Sequence, residues 1–180
     1  MFPKISKYKL IAGKYLSNLS IIIVLIVIYY LILTISAIIT YDTIILEVYN
    51  SLGIAIFYTI ALSILMIFFS AIMPKANFAT IAAIVIILVG FPMMEQALTL
   101  INQEIEPLFS LNYAGNSIAY VIPGGLLENR RWVWVYYAGD TLPPIKVWVT
   151  PTIEMGLIII SSFIITFSFL TLIVVRNKEL

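Results

Sequence analysis

Glu95 is the carboxylate that lies furthest inside a long apolar run of this sequence, and it is the first candidate for chemistry. An ionisable side chain within a membrane span is a functional candidate by default. Counted from Asn77, Glu95 stands about 18 residues along a helix, roughly 27 Å, which places it near one membrane surface. It is either a carboxylate at the wet edge of the bilayer or, together with Gln96 and Asn112, part of an outer gate or cavity.

Other reactive groups are scarce. The chain contains no histidine and no cysteine, which excludes imidazole bases, thiol nucleophiles and the usual zinc, copper and haem ligands. It carries no phosphate-binding glycine loop, no zinc-protease motif and no nucleophile triad. We therefore expect no cofactor, no metal and no catalytic activity in this chain.

The elements that must position these residues are apolar runs of membrane-spanning length. The composition is 62% hydrophobic and 11% charged, with a mean hydropathy of +1.09, far from that of a soluble domain. Four runs are each about as long as a helix that crosses the ~30 Å hydrocarbon core. They cover residues 19–40, 52–73, 78–100 and 153–175. The sequence predicts an all-α polytopic membrane protein with four transmembrane helices, the last capped by Thr150.

Positive charge is placed at alternate ends of these runs, which predicts the orientation. Lysine and arginine near span ends stay in the cytoplasm. The residues that agree with one orientation are Lys4, Lys7, Lys9, Lys14, Lys75, Arg176 and Lys178. We expect both termini to be cytoplasmic and the membrane to be the cell (plasma) membrane. The net charge of +1 is too small to indicate a nucleic-acid partner.

The chain divides at the boundaries of these runs. Residues 1–18 form a basic interfacial segment, 19–101 hold three spans, 102–150 form an extracytoplasmic loop, and 151–180 hold the last span and a tail. A loop of this length is expected to have structure of its own. Its first part, 107–127, predicts a short re-entrant or interfacial helix buried against protein. Its second part alternates aromatic and β-branched residues at 131–137 and 145–150, which predicts a β-hairpin.

The predicted hairpin presents an aromatic face formed by Trp132, Trp134, Tyr136 and Trp148. Two interpretations of this face remain open. Tryptophan and tyrosine are enriched at membrane–water interfaces, so the rings could anchor at the level of the lipid headgroups. They could instead form a platform for a substrate or a protein partner.

The amino-terminal segment carries a resemblance to a known family. Residues 6–16 read SKYKLIAGKYL, in which Ser6 and Lys7 are followed, after five residues, by Gly13 and Lys14. This resembles the cytoplasmic loop of type-2 ATP-binding-cassette exporter permeases, where an arginine usually takes the place of Lys7. The small-residue exit of the second run, SAIMPK, and the segment PLFSLN at 107–112 are also similar to that family, as is the order of the elements.

The resemblance implies a function and a partner. Ser6, Lys7, Lys9, Gly13 and Lys14 would contact a cytoplasmic ATP-binding-cassette ATPase, and spans from two permease units would line the export path. The family usually has six spans, so this chain would lack the first two, and the family pattern does not require the tryptophan-rich hairpin. The alternative hypothesis is a cofactor-free structural or accessory subunit of a larger membrane complex, such as a respiratory complex. Either hypothesis implies lipid and other integral membrane subunits as partners.

Overall fold

A computed structural model describes residues 7–42, 46–122, 131–136 and 143–177 of the chain. The chain divides into two compact units, residues 1–46 and 47–180. Within the described ranges, four helices are long and apolar enough to cross a membrane. These candidate spans are Tyr15–Thr40, Glu47–Ile72, Asn77–Ile101 and Ile153–Asn177. The prediction of four long apolar helices is confirmed, and these helices indicate a multi-pass membrane protein.

The described residues of the first unit form one long helix, α1 (Lys7–Tyr41). The predicted boundary between a basic segment and a span is not a break in the backbone, since α1 runs through it without interruption. The helix ends at Asp42, whose positive φ of 52° turns the chain in the left-handed conformation that aspartate tolerates. The Asp42 N–H still bonds the Ile38 carbonyl at 2.9 Å.

The second unit is built on helix α2 (Glu47–Ile72) and on the carboxy-terminal helix α7 (Ile153–Asn177), which pack against each other. Ile54, Ala61 and Ile160 form part of the buried core at this contact. Further along the two helices, Phe68 and Phe167 meet edge to face with ring centroids 5.1 Å apart. Since both helices begin at the same end of this unit, that end, where the long loop also lies, is called the loop end below.

The third span consists of three pieces that follow α2 after a tight turn at residues 73–75. Helix α3 (Ala76–Val85) leads into a π-helical turn (Ile86–Gly90), and helix α4 (Phe91–Ile101) completes the span. Lys75 precedes α3 in an extended conformation, and its side chain caps no backbone N–H. The middle of this span is therefore irregular, where the sequence contains Gly90 and Pro92.

Helix α7 begins differently from the sequence prediction. The cap is Thr152, whose Oγ1 accepts a hydrogen bond from the Met155 N–H at 3.3 Å, and the expected cap at Thr150 was wrong. The Thr150 N–H instead bonds the Arg131 carbonyl at 3.3 Å. Because Thr150 still belongs to the hydrogen-bonded edge of the hairpin, the helix can begin only after it.

The described part of the loop contains two short helices and one hairpin. Helix α5 (Leu111–Gly115) and helix α6 (Ser117–Tyr120) follow each other directly and pack on α7 and α2 respectively. Strands β1 (Trp132–Val135) and β2 (Ile145–Trp148) are antiparallel. Trp132 lies opposite Trp148 and Trp134 lies opposite Lys146, so the predicted hairpin is confirmed. Residues 123–130 and the tip of the predicted connection, 137–142, lie outside the described residues.

Candidate functional site

The π-helical turn leaves one backbone carbonyl of the third span without a helical partner. The Phe91 N–H bonds the Ile86 carbonyl, one residue further back than in an α-helix. The Ile87 carbonyl would then need the N–H of residue 92, which is a proline and has none. The side-chain amide of Asn112, in α5, donates to the Ile87 carbonyl at 2.5 Å. The loop thus completes the hydrogen bonding of a span.

Glu95, on the following turn of the same span, is also bound by the loop. The Ser110 hydroxyl donates a hydrogen bond to the Glu95 carboxylate. Ser110 precedes α5 in an extended conformation, is fully buried, and accepts a hydrogen bond from the Tyr113 N–H at 3.3 Å. One hydroxyl therefore caps a helix and satisfies a carboxylate within the span.

A second carboxylate, Glu106, connects α5 to the hairpin. It accepts a hydrogen bond from the Tyr113 hydroxyl at 2.7 Å, and one terminal nitrogen of Arg131 contacts its two oxygens at 2.9 and 2.8 Å. Burial raises the pKa of Tyr113 far above its usual value, and the hydrogen bond and negative charge of Glu106 add to this, while Arg131 opposes it. Tyr113 therefore stays neutral and serves as a donor. We call Glu95, Glu106, Ser110, Asn112 and Tyr113 the loop cluster.

Gln103, just beyond the end of α4, attaches the second strand of the hairpin to the third span. Its side-chain oxygen accepts a hydrogen bond from the Lys146 N–H, and its backbone carbonyl accepts one from the Trp148 indole N–H, both at 3.0 Å. The Lys146 ammonium forms an ion pair with Glu104 at 3.0 Å. It also lies 4.6 Å from the ring centre of Trp148 and 5.2 Å from that of Trp132. These contacts hold the hairpin in one position.

The predicted aromatic face is divided by this arrangement. Trp148 is half-buried and is held by Gln103 and by the guanidinium of Arg131, which lies 5.5 Å from its ring centre. Trp132, Trp134 and Tyr136 are exposed by 41%, 47% and 74%. Trp132 and Trp134 meet edge to face with their ring centres 5.6 Å apart.

Two glycines allow the short helices to approach the spans closely. A Cβ at Gly156 of α7 would overlap the Ser117 hydroxyl, and a Cβ at Gly115 would lie 2.9 Å from the ring of Tyr58 on α2. Ser117 is fully buried, and its hydroxyl finds no hydrogen-bond partner among the described residues. On the other side of α6, the Ser51 hydroxyl of α2 donates to the Ile118 carbonyl at 2.7 Å.

A groove of about 600 Å³ lies at the loop end between the first turns of α2 and α7. It is bordered by Asn50, Gly53, Phe57, Val121 and Leu157, among others, and its lining is mainly apolar. The residues predicted to form an outer gate do not border it.

The sequence-predicted site residues are brought together only in part. Glu95 and Asn112 contact the same short stretch of loop and span, whereas the Gln96 side chain is exposed and makes no hydrogen bond within the described residues. Lys7, Lys9, Gly13 and Lys14 lie on the first turns of α1, and Ser6 lies outside the described residues. Sequence reasoning missed Gln103, Glu106, Ser110, Tyr113 and Arg131. The spacing of Ser110 before a short apolar stretch is the one local signal that could have indicated a cap.

These hydrogen bonds and ion pairs hold the loop and the hairpin against the third span and compensate their charges. In the described part of the chain, no three His, Cys, Asp or Glu side chains converge as a metal ion would require. Both carboxylates of the loop cluster are occupied by hydroxyl or guanidinium donors.

No protein-family model matches the chain, and no curated protein or solved structure gives a significant match.

Proposed function

We propose that this protein is a membrane-embedded, permease-like subunit of an ATP-driven exporter and that it catalyses no reaction itself. The observation that carries the proposal is the pair of short helices, α5 and α6. They lie in the chain between the third and the last span, and they are folded back onto the loop ends of α7 and α2. The order of elements supports it as well: a basic segment, two spans, a tight turn, an interrupted span, the short helices and a last span. This order is that of the permease family which residues 6–16 resemble.

The coupling region would be the first turns of α1. Ser6, Lys7, Lys9, Gly13 and Lys14 belong to a stretch that, from Lys7 onward, is continuous with the span. A continuous helix carries a displacement of its end into the membrane without an intervening hinge. A cytoplasmic ATPase that binds this end could therefore move the span directly. The charge pattern supports a cytoplasmic location for both termini in the plasma membrane.

The outer gate would be the junction between the third span and α5. Pro92 and the π-helical turn interrupt the span. Asn112 donates to the Ile87 carbonyl that lacks a helical partner, and Ser110 donates to the Glu95 carboxylate on the following turn. Irregular backbone at membrane depth is tolerated where it is buried in protein or lines a water-filled path. Half-helices with partners supplied by a neighbouring segment can adopt two arrangements, as a gate requires.

The first experiment is co-purification of the full chain from native membranes in a gentle detergent, followed by mass spectrometry. We expect an ATP-binding-cassette ATPase and a second permease chain. The paired charge reversals Lys7→Glu and Lys14→Glu are expected to abolish recovery of the ATPase and export. Lys75→Glu, the same change in the turn between α2 and α3, is the matched control and is expected to retain both.

The proposal fails if no ATPase is recovered with the wild-type chain and if reversal of residues 7 and 14 leaves export unchanged. Equal losses in the Lys75→Glu control would also argue against a specific coupling segment, because they would indicate a general effect on membrane orientation.

A structural subunit of a larger membrane complex, such as a respiratory complex, is the second candidate. The observation that favours it is the rigidly held hairpin with three exposed aromatic rings, Trp132, Trp134 and Tyr136, which the permease pattern does not require. Recovery of haem- or copper-bearing subunits in the same experiment would support this candidate over the first, and Trp148 would then help to present the partner surface.

A further inference from the structure

All three tryptophans of the chain lie on the hairpin, at positions 132, 134 and 148. Two of them, Trp132 and Trp134, expose nearly half of their surface, whereas Trp148 is half-buried. Cross-strand pairing places Trp132 beside Trp148, and Trp134 beside Lys146, on one face of the two strands. The exposed rings therefore form a small aromatic surface next to a half-buried, tethered ring.

The hairpin lies close to the last residue of α4 and to the first residue of α7. Gln103 follows Ile101, the last residue of α4, by two positions, which extend over at most about 7 Å. Its carbonyl binds the Trp148 indole N–H at 3.0 Å, so this strand lies close to the end of the third span. On the other side, β2 is followed after a few residues by Ile153, where α7 begins. The pair Trp132–Trp148 consequently lies near the boundary between hydrocarbon and headgroups.

The membrane-facing surface continues up to this point. Leu100 and Ile101 at the end of α4 are 74% and 82% exposed, as expected for side chains that face lipid. Strand β2 contacts α4 at the same end. The aromatic surface is thus adjacent to the lipid-facing side of a span rather than separated from it by a polar linker.

The chemistry of the exposed rings fits a headgroup layer. An indole ring has an apolar body and one N–H donor, which suits it to sites that are apolar on one side and wet on the other. The indole N–H groups of Trp132 and Trp134 donate to no protein atom within the described residues. The phosphate and ester oxygens of a glycerophospholipid supply such acceptors. The neighbouring charges are internally compensated, since Lys146 pairs with Glu104 and Arg131 with Glu106.

We propose that the face formed by Trp132, Trp134 and Tyr136 is inserted into the headgroup layer of the surrounding bilayer and binds glycerophospholipid headgroups, and does not bind a protein partner. The hydrogen bonds and ion pairs at Gln103, Glu104 and Glu106 hold the hairpin, so little conformational freedom is lost when the rings enter the layer. This inference is independent of the proposed transport function, because it concerns how the loop is held at the membrane surface.

Intrinsic fluorescence tests this directly, because every tryptophan of the chain is on the hairpin. The full-length protein is reconstituted in phosphatidylcholine vesicles that contain lipids brominated either near the headgroup end or near the methyl end of the acyl chain. We expect strong quenching by the first kind and weak quenching by the second, with little quenching by aqueous iodide.

Two variants separate the exposed rings from the tethered one. The double variant Trp132→Phe/Trp134→Phe retains Trp148 alone and is expected to lose most of the quenching by shallow bromine. The variant Trp148→Phe retains the two exposed rings and is expected to keep it. Circular dichroism of each variant checks that the helices are retained.

Strong quenching by iodide with none by brominated lipid would overturn the proposal, and would leave the face free for a protein. Quenching in the double variant as strong as in the wild type would overturn it as well, because Trp148 would then be the lipid contact.

Discussion

The third span and the last span of this protein have the same length and nearly the same hydropathy, but they are stabilised in different ways. Each is a candidate span of 25 residues, with hydropathies of 2.2 and 2.6. Helix α7 is uninterrupted, capped by Thr152, and packs closely on its neighbours through Gly156. The third span contains a π-helical turn and Pro92, and it obtains hydrogen-bond donors from the loop.

This difference teaches that apolar character alone does not determine how a span is held. A regular helix satisfies its own backbone and needs only close packing with its neighbours. An interrupted helix leaves polar atoms that must find partners elsewhere, since an unpaired carbonyl in an apolar environment is costly. In this chain Asn112 supplies the donor for the Ile87 carbonyl, and Ser110 supplies one for the Glu95 carboxylate of the same span, so the folding of the loop and that of the third span are coupled.

The largest expected effect comes from overpacking the close contact between the regular span and α6. Gly156→Val places three carbons where even one Cβ overlaps the Ser117 hydroxyl, so we expect destabilisation at the upper end of the ~1–3 kcal/mol range for overpacking. Unfolding of the protein in detergent, followed by circular dichroism, measures it. Gly53→Val on α2 is the matched control, since a Cβ there meets no atom within 4 Å.

If Gly156→Val and Gly53→Val have equal effects, the loss comes from glycine replacement in general and not from the contact with Ser117. Addition of Ser117→Ala to Gly156→Ala is expected to restore part of the stability, because the substitution removes the overlapping hydroxyl.

A second variant tests whether the irregular span depends on the loop. Asn112→Leu leaves the Ile87 carbonyl without its donor, at a cost of about 1–3 kcal/mol. In a Pro92→Ala background the helix regains an N–H at that position and can return to α-helical pairing, so the same change is expected to cost much less. Gln96→Leu, at an exposed amide without a hydrogen bond in the described residues, is the control. Equal costs for Asn112→Leu in both backgrounds would contradict the coupling between Pro92 and Asn112.

The third prediction concerns alkaline pH and the attachment of α5 to the hairpin. The pKa of Tyr113 is raised from its usual 10.0 in the folded protein, chiefly by burial and by Glu106. Above pH 10 the unfolded chain loses this proton and the folded chain keeps it, so stability falls as pH rises, by up to about 1.4 kcal/mol per pH unit. Tyr113→Phe is expected to have a shallower decline, measured by detergent unfolding between neutral and strongly alkaline pH. Parallel curves for the two proteins would show that Tyr113 ionises equally in both states.

The smallest effect is expected at the cap of the regular span. Thr152→Ala removes the acceptor for the Met155 N–H and is expected to cost about 1 kcal/mol or less. Lys75→Ala, before the uncapped helix α3, removes no cap and is expected to change stability by less. The same unfolding measurement compares them, and an effect at Lys75 as large as that at Thr152 would argue against a specific contribution of the Thr152 cap.

Much of the architecture follows from local patterns along the chain. Apolar runs of span length and the alternation around Trp132 and Trp148 each depend on neighbouring residues, so the four spans and the hairpin could be predicted from the sequence. The sequence showed that the face of Trp132 and Trp134 is aromatic, but it did not show whether this face contacts lipid headgroups, a substrate or a protein partner. The sides on which the termini lie, and the roles of residues 6–14, stay predictions.

The sequence by itself determined that this protein is a helical membrane protein, because hydropathy and length are additive properties of short segments. Only the tertiary structure decided which residues serve the interrupted span. Ile87 and Asn112, or Gln103 and Trp148, are far apart in sequence, and each pairs with a partner that only folding brings close. The position of the helix cap also depends on a contact between residues distant in sequence. The Thr150 N–H bonds the Arg131 carbonyl of the hairpin, so Thr152 and not Thr150 caps α7.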